Sequence, residues 1–306
     1  MVLKISKTTY ALFLFFFLTV SMSFGQQVLP IKISKLPELK TNKCKALEKN
    51  LKAELSRNAK WKSLIANKKM SIAVVDLSHH DMKYAGINGD NMVYAASLPK
   101  IAVLYAVMDA IDKGEVKDSP EIRKDLKLMI AKSNNAASTR MIDLVGYKKI
   151  EAVLRKAGNS LYDPGTGGGL WVGKRYAAAG KRYPDPIKGL SHAATPYQAA
   201  NFYYHLVFGK LISFQRSAEM LEILKDPELG HKFVYTLRDI APNAKLYRKS
   251  GSWKNYHSDS VLVWGPERRY ILVALIEDPR GEQIVRNLVK PVEKVLKNSK
   301  TLNCSK

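Results

Sequence analysis

Residues 244–278 read AKLYRKSGSWKNYHSDSVLVWGPERRYILVALIED, and the division of this stretch decides the fold. "AKLYRKSG", "SDSVLVWG" and "RRYILVALIED" are runs rich in β-branched and aromatic residues, joined by short polar links. They predict three successive antiparallel strands. Downstream, "GEQIVRNLVKPVEKVLKNS" has helical spacing and predicts a final helix, bent near Pro291. Far upstream, "MSIAVVDLS" and "DMKYAGIN" flank an "HHD" turn and predict a strand and its hairpin partner. Before them, "KCKALEKNLKAELSRNAKWKSLIAN" predicts one or two helices.

The middle of the chain is helical in pattern. "SLPKIAVLYAVMDAIDKG" predicts a helix from Ser97 that stops at Gly114, and "SPEIRKDLKLMIAKS" a second, capped by Ser119 with Pro120 in its first turn. "ASTRMIDLVG" and "YKKIEAVLRKAG" each close on glycine, and "TPYQAANFYYHLVFGK" and "SFQRSAEMLEILKD" complete the block. Residues 159–194, rich in Gly and Pro, hold no sustained period, and so long a loop inside a domain is usually functional or disordered. The order is helix, two strands, helical block, three strands, helix. It predicts an α/β (α+β) fold: one five-stranded antiparallel sheet made by both chain ends, flanked by the N- and C-terminal helices, with an all-helical subdomain inserted. The corresponding boundaries are 42–94 and 235–306 for the sheet part and 95–234 for the helical part.

The chain has 306 residues, enough for a large core. Its first 25 residues carry Lys4 and Lys7, an apolar run from Ala11 to Val20, and Ser23 and Gly25 at small-residue positions. This is the layout of a secretory signal cleaved before Gln26, with an uncleaved anchor as the other reading. Residues 26–41 are a polar, proline-containing lead-in. The expected location is secreted or periplasmic. The net charge of +23 becomes +21 once Lys4 and Lys7 are removed. The lysines are scattered without a basic-aromatic cluster, so no nucleic-acid partner is expected. Cys44 and Cys304 are the two cysteines. In an oxidising compartment they read as a disulfide, which requires the first and last helices to lie side by side; otherwise they are two unpaired thiols. A cross-link enclosing so much chain stabilises by roughly 4–5 kcal/mol in the chain-entropy model.

The chemistry is concentrated in three short signatures. "SLPK" puts Ser97 and Lys100 three residues apart at the start of a helix, on one face. A half-buried Lys100 loses its proton through desolvation and can then accept that of the serine. Taken alone, the pair reads better as a capping serine and a snorkelling lysine. "SNN", Ser133 to Asn135, follows a helix, and "KSG", Lys249 to Gly251, lies on a predicted strand. S-x-x-K, S-x-N and K-[ST]-G in this order, each on the expected kind of element, are a specific combination.

With these motifs the chain resembles the penicillin-recognising serine enzymes, the class A β-lactamase-like family that also includes D,D-peptidases. The resemblance implies a cleft between sheet and helical subdomain, with Ser97 as nucleophile and Lys100 as its base. It further implies Ser133 as proton shuttle to the leaving nitrogen and Lys249 tuning Ser133 and favouring a substrate carboxylate. Asn135 would hold a substrate amide, Ser250 the carboxylate, and the N–H groups of Ser97 and Ser252 the oxyanion. Two departures stand out. Asn134 replaces the family's Asp, and no Glu lies between Glu151 and Glu219, where class A enzymes carry the residue that activates the deacylating water. Asp163 and Asp185 are the loop's acids, in unmatched contexts. The resemblance implies a serine hydrolase of β-lactams or related acyl amides, with a peptidoglycan D,D-peptidase or a non-turnover β-lactam receptor as alternatives. No cofactor or metal is expected, since the histidines show no ligand spacing, and the protein is expected to be monomeric. "YHSDS" (His257, Ser258, Asp259) reads as a strand link rather than a triad, "GGGLWVGK" lacks a P-loop context, and Trp171, Trp253 and Tyr256 are candidates to line the cleft.

Overall fold

A computed structural model describes residues 28–304 apart from His80. The expected signal segment lies outside the described residues. The central sheet has the order β2-β1-β10-β9-β8, all neighbours antiparallel. Its strands are β1 (Met70–Asp76), β2 (Lys83–Ile87), β8 (Lys245–Trp253), β9 (Tyr256–Trp264) and β10 (Arg269–Glu277). The three runs that opened the reading form consecutive antiparallel ladders, with β8 left as an outer edge.

Both faces of the sheet are covered, so its central strands read as unbroken apolar runs. Alternate residues go to opposite layers, as the period of a strand requires. Ile72, Val74, Val261, Leu272 and Ala274 pack with the helices α1 (Lys45–Leu55), α2 (Ala59–Ala66), α8 (Phe233–Ile240) and α9 (Gly281–Lys297). Ala73, Val75, Leu262, Ile271 and Val273 face the other way, toward α3 (Lys100–Asp112), α4 (Pro120–Ala131), α5 (Asn135–Leu154), α6 (Pro196–Val207) and α7 (Phe214–Leu224). Helix α3 is buried all round, which explains why its sequence is apolar without a polar stripe.

Several expectations shift in detail. The two helices expected on either side of Gly146 are both present and abut as α5, separated by a kink at Gly146, whose φ 76° and ψ 159° are non-helical. The long loop contains short strands: β4 (Tyr162–Asp163), β5 (Gly168–Gly169), β6 (Trp171–Val172) and β7 (His192–Ala194). β7 pairs with β6 and with β3 (Val93–Tyr94), making a small sheet in front of α3. Two-residue strands carry no readable period, so only pairing reveals them. α8 was not anticipated; one face of this eight-residue helix packs against α9.

Cys44 and Cys304 are joined, with Cα atoms 4.7 Å apart across 260 residues. The bond ties the start of α1 to the segment that follows α9. Beside it, Lys83 Nζ donates to the Ser299 carbonyl at 2.5 Å and the Ser299 hydroxyl donates to Asp76.

Candidate active site

Ser97 is not in the helix proper. It sits in a tight turn whose N–H groups bond three residues back, Leu98 to Ala95 at 3.1 Å and Lys100 to Ser97 at 3.3 Å, with Ala96 in the left-handed region (φ 51°). In a 3₁₀-type turn residues three apart eclipse, so Ser97 and Lys100 still share one side. Pro99 is the residue before the helix, where its missing N–H costs nothing.

Lys100 is fully buried. Its Nζ donates to the Ser133 carbonyl (2.7 Å) and to Asn135 Oδ1 (2.8 Å), lies 3.4 Å from Ser133 Oγ, and sits 4.4 Å from the centre of the Tyr176 ring. Among the described residues no carboxylate pairs with it, and burial pushes its pKa down to about 7. A neutral amine has two N–H bonds, and these two short contacts use both, which leaves the lone pair free to accept a proton.

Ser133 links the two lysines. It lies between α4 and α5 in a left-handed conformation (φ 55°), and Lys249 Nζ, 116 residues away, donates to its hydroxyl at 2.8 Å. Positive φ at a non-glycine residue marks strain that the surroundings must hold. Lys249 also donates to the Ser250 carbonyl at 2.7 Å, and burial, helped by the charge of Lys100, holds its pKa well below the usual lysine value. Asn134 caps α5 by accepting from the Ala137 N–H at 2.8 Å, a task its amide performs as well as a carboxylate.

Gly251 brings strand β8 against the serine turn. A Cβ there would lie 2.5 Å from both the Ser97 nitrogen and the Ala95 carbonyl oxygen, so no side chain fits. The Gly251 carbonyl accepts from Lys232 Nζ (2.5 Å) and from Ser258 Oγ (3.3 Å) on β9. In a trans peptide the next N–H points the opposite way. The Ser252 N–H therefore points out of the free edge of the sheet, toward a cavity of about 770 Å³ that Ser97, Asn135 and Ser252 help to line. Lys100, Ser133 and Lys249 form the network beneath it. Ser250, only 3% exposed, and Gly251 do not line the cavity.

Sequence reading missed the back wall. Tyr176, from the long loop, donates its hydroxyl to the Ala96 carbonyl at 3.2 Å, and its ring lies 4.3 Å from that of His192. Burial lowers the His192 pKa to about 4, so the ring is neutral. Nε2 donates to the Lys174 carbonyl at 2.9 Å, which leaves Nδ1 to accept from Ser191 at 3.2 Å. Tyr94, Tyr256 and Trp253 continue the lining, as expected for the last two; Trp171 is instead buried against Tyr162. Only the Gly- and Pro-poor run "KRYAAA" marked this part of the loop, and it has no period to read.

No carboxylate lines the cavity among the described residues. Asp185 accepts from the N–H groups of Ile187 (3.0 Å) and Lys188 (2.9 Å), and Asp163 from that of Gly165 (2.9 Å); both brace their own loop. The adjacent His257, Ser258 and Asp259 do not form a triad. Asp259 is held by Arg248 at 2.7 and 3.0 Å, Ser258 donates to the Ala95 carbonyl at 2.7 Å, and the ring nitrogens of His257 have no hydrogen-bond partner among the described residues.

The fold and the serine–lysine network define a serine enzyme of the β-lactamase and penicillin-binding type. The pattern of the beta-lactamase enzyme family matches residues 47–123 and 117–297, and the chain belongs to that family. No curated protein matches the sequence. Among solved structures, the fold is similar to the β-lactamase from Sphaerobacter thermophilus DSM 20745 (17% identity, 83% of this chain and 98% of that one, TM-score 0.61). It is similar to PBP-A (18%, 86% and 99%, TM-score 0.61). It is also similar to a PBP-A mutant in an acyl-enzyme complex with penicillin G (18%, 86% and 99%, TM-score 0.62).

Proposed function

We propose that this protein forms an acyl-enzyme at Ser97 with β-lactams and related acyl amides and releases the acyl group slowly. The observation that carries the reading is the paired network in which Ser133 lies between two buried, uncompensated lysines. Neutral Lys100 takes the Ser97 proton as Oγ attacks the carbonyl carbon. The oxyanion that forms is held by the N–H groups of Ser97 and Ser252, each donor worth roughly 2.7–4 kcal/mol. As the C–N bond breaks, Ser133 passes a proton to the leaving nitrogen and is resupplied along the lysine pair.

Slow release is supported by the wall behind Ser97. Tyr176, backed by neutral His192, packs beside Lys100, and among the described residues no carboxylate faces the cavity to serve as a base for water. This favours a penicillin-binding, peptidase-like role on peptidoglycan stem peptides over rapid hydrolysis of β-lactams. Export to the envelope is part of the same proposal and rests on the signal-like first 25 residues.

Intact-mass measurement after incubation with penicillin G tests the assignment. The wild type gains one penicillin mass, and Ser97→Ala gains none. An adduct that survives Ser97→Ala places the nucleophile elsewhere. Sustained turnover of nitrocefin without a burst and stall overturns the slow-release part. D-Alanine release from a D-Ala-D-Ala peptide is the expected natural-type activity.

A further inference from the structure

Lys232 is a third buried lysine, and the acylation scheme above does not use it. It is fully buried in a loop before α8, with φ 58° and ψ −128°, a conformation few side-chain-bearing residues adopt. The loop is fastened in that shape: Arg248 donates to the carbonyls of Leu229 (3.0 Å) and His231 (3.3 Å), and Asp259 accepts from the Phe233 N–H (3.1 Å). The result is one ammonium aimed at the β8–β9 ladder. Its three donors go to the Gly251 carbonyl (2.5 Å), Ser252 Oγ (2.8 Å) and the Ser258 carbonyl (3.1 Å). Burial lowers its pKa to about 8, so at neutral pH most of it keeps its charge.

From this geometry we infer that Lys232 is a positioning residue for acyl transfer: by binding the Gly251 carbonyl it orients and polarises the 251–252 peptide, whose N–H points into the cavity beside Ser97. A peptide whose oxygen is bound by a cation has a more positive N–H, because hydrogen bonds in a chain polarise one another. That donor meets the substrate carbonyl oxygen most strongly once negative charge has built up on it. The benefit therefore falls on the transition state more than on the bound substrate. Lys232 does not line the cavity, so its effect passes through the peptide rather than through contact with the substrate.

The inference rests on acylation at Ser97, and the test separates the two. Acylation by penicillin G is followed to obtain the dissociation constant of the first complex and the rate constant of the chemical step. Lys232→Met is expected to slow the chemical step on the order of tenfold, with the dissociation constant unchanged. Lys232→Gln, which keeps N–H donors without the charge, is expected to lose less and serves if the methionine variant does not fold. In both, the infrared band of the acyl ester carbonyl moves to higher wavenumber than in the wild type, reporting a weaker oxyanion donor. A wild type that takes no adduct overturns both readings. An acylated wild type whose Lys232 variants keep its chemical rate and carbonyl band, losing only melting temperature, makes Lys232 a strand clasp and overturns this inference alone. A raised dissociation constant with an unchanged chemical step assigns it to substrate binding and overturns the inference equally.

Discussion

Burial of Lys100 sets the pH at which it can accept a proton. With its pKa near 7, the fraction present as free amine falls tenfold for each pH unit below that value. The second-order acylation rate should therefore climb from pH 5 to a plateau above pH 7, by about a hundredfold overall. A flat profile across that range would remove Lys100 as the base. Stability carries the same sign. The folded chain holds the Lys100 proton less tightly than the unfolded chain, so between about 7 and 10.5 the unfolded state binds more protons and stability rises with pH. The residue types at this site were legible in the sequence because S-x-x-K, S-x-N and K-[ST]-G are short and local. The pKa was not, since desolvation depends on what covers Nζ, and part of that cover, Tyr176, comes from a loop 76 residues downstream.

At the scale of elements, the decisive contact is an edge strand pressed against a turn. Gly251 allows it, because every other residue would place a Cβ within 2.5 Å of the Ser97 nitrogen. Gly251→Ala should push β8 and the serine turn apart, cost about 1–3 kcal/mol of stability by overpacking, and slow acylation more than it weakens first binding. Chemical denaturation and stopped-flow acylation measure the two effects. An alanine variant with wild-type acylation would show that the strand does not shape the oxyanion site. The three C-terminal strands and the long helices were readable because their periods span enough residues. β3 through β7 were not, because a two-residue strand is defined by its partner rather than by its own pattern. The start of α3 moved from Ser97 to Lys100 because three-residue bonding in the turn tightens the backbone before four-residue bonding begins.

For the whole molecule, the two chain ends close the structure. The first strands and the last strands share one sheet, and the Cys44–Cys304 bond with the Lys83, Ser299 and Asp76 contacts latches the ends together. Replacing both cysteines by serine should lower stability by roughly 3–5 kcal/mol, since the unfolded chain regains the freedom of a very long loop. Scanning calorimetry should show a melting temperature lower by on the order of 10 °C. An unchanged melting temperature would mean that packing alone holds the ends. By itself the sequence determined the order of the longer helices and the sheet strands, the three C-terminal strands among them, and the serine, lysine and asparagine signatures, because each of these is written in neighbouring residues. Only the tertiary structure decided that Lys249 reaches Ser133 across 116 residues, that the Tyr176 ring covers Lys100, and that Lys232 grips the strand beside Ser97. Those contacts join segments far apart in the chain, and packing around the two cores, rather than any local pattern, brings them together.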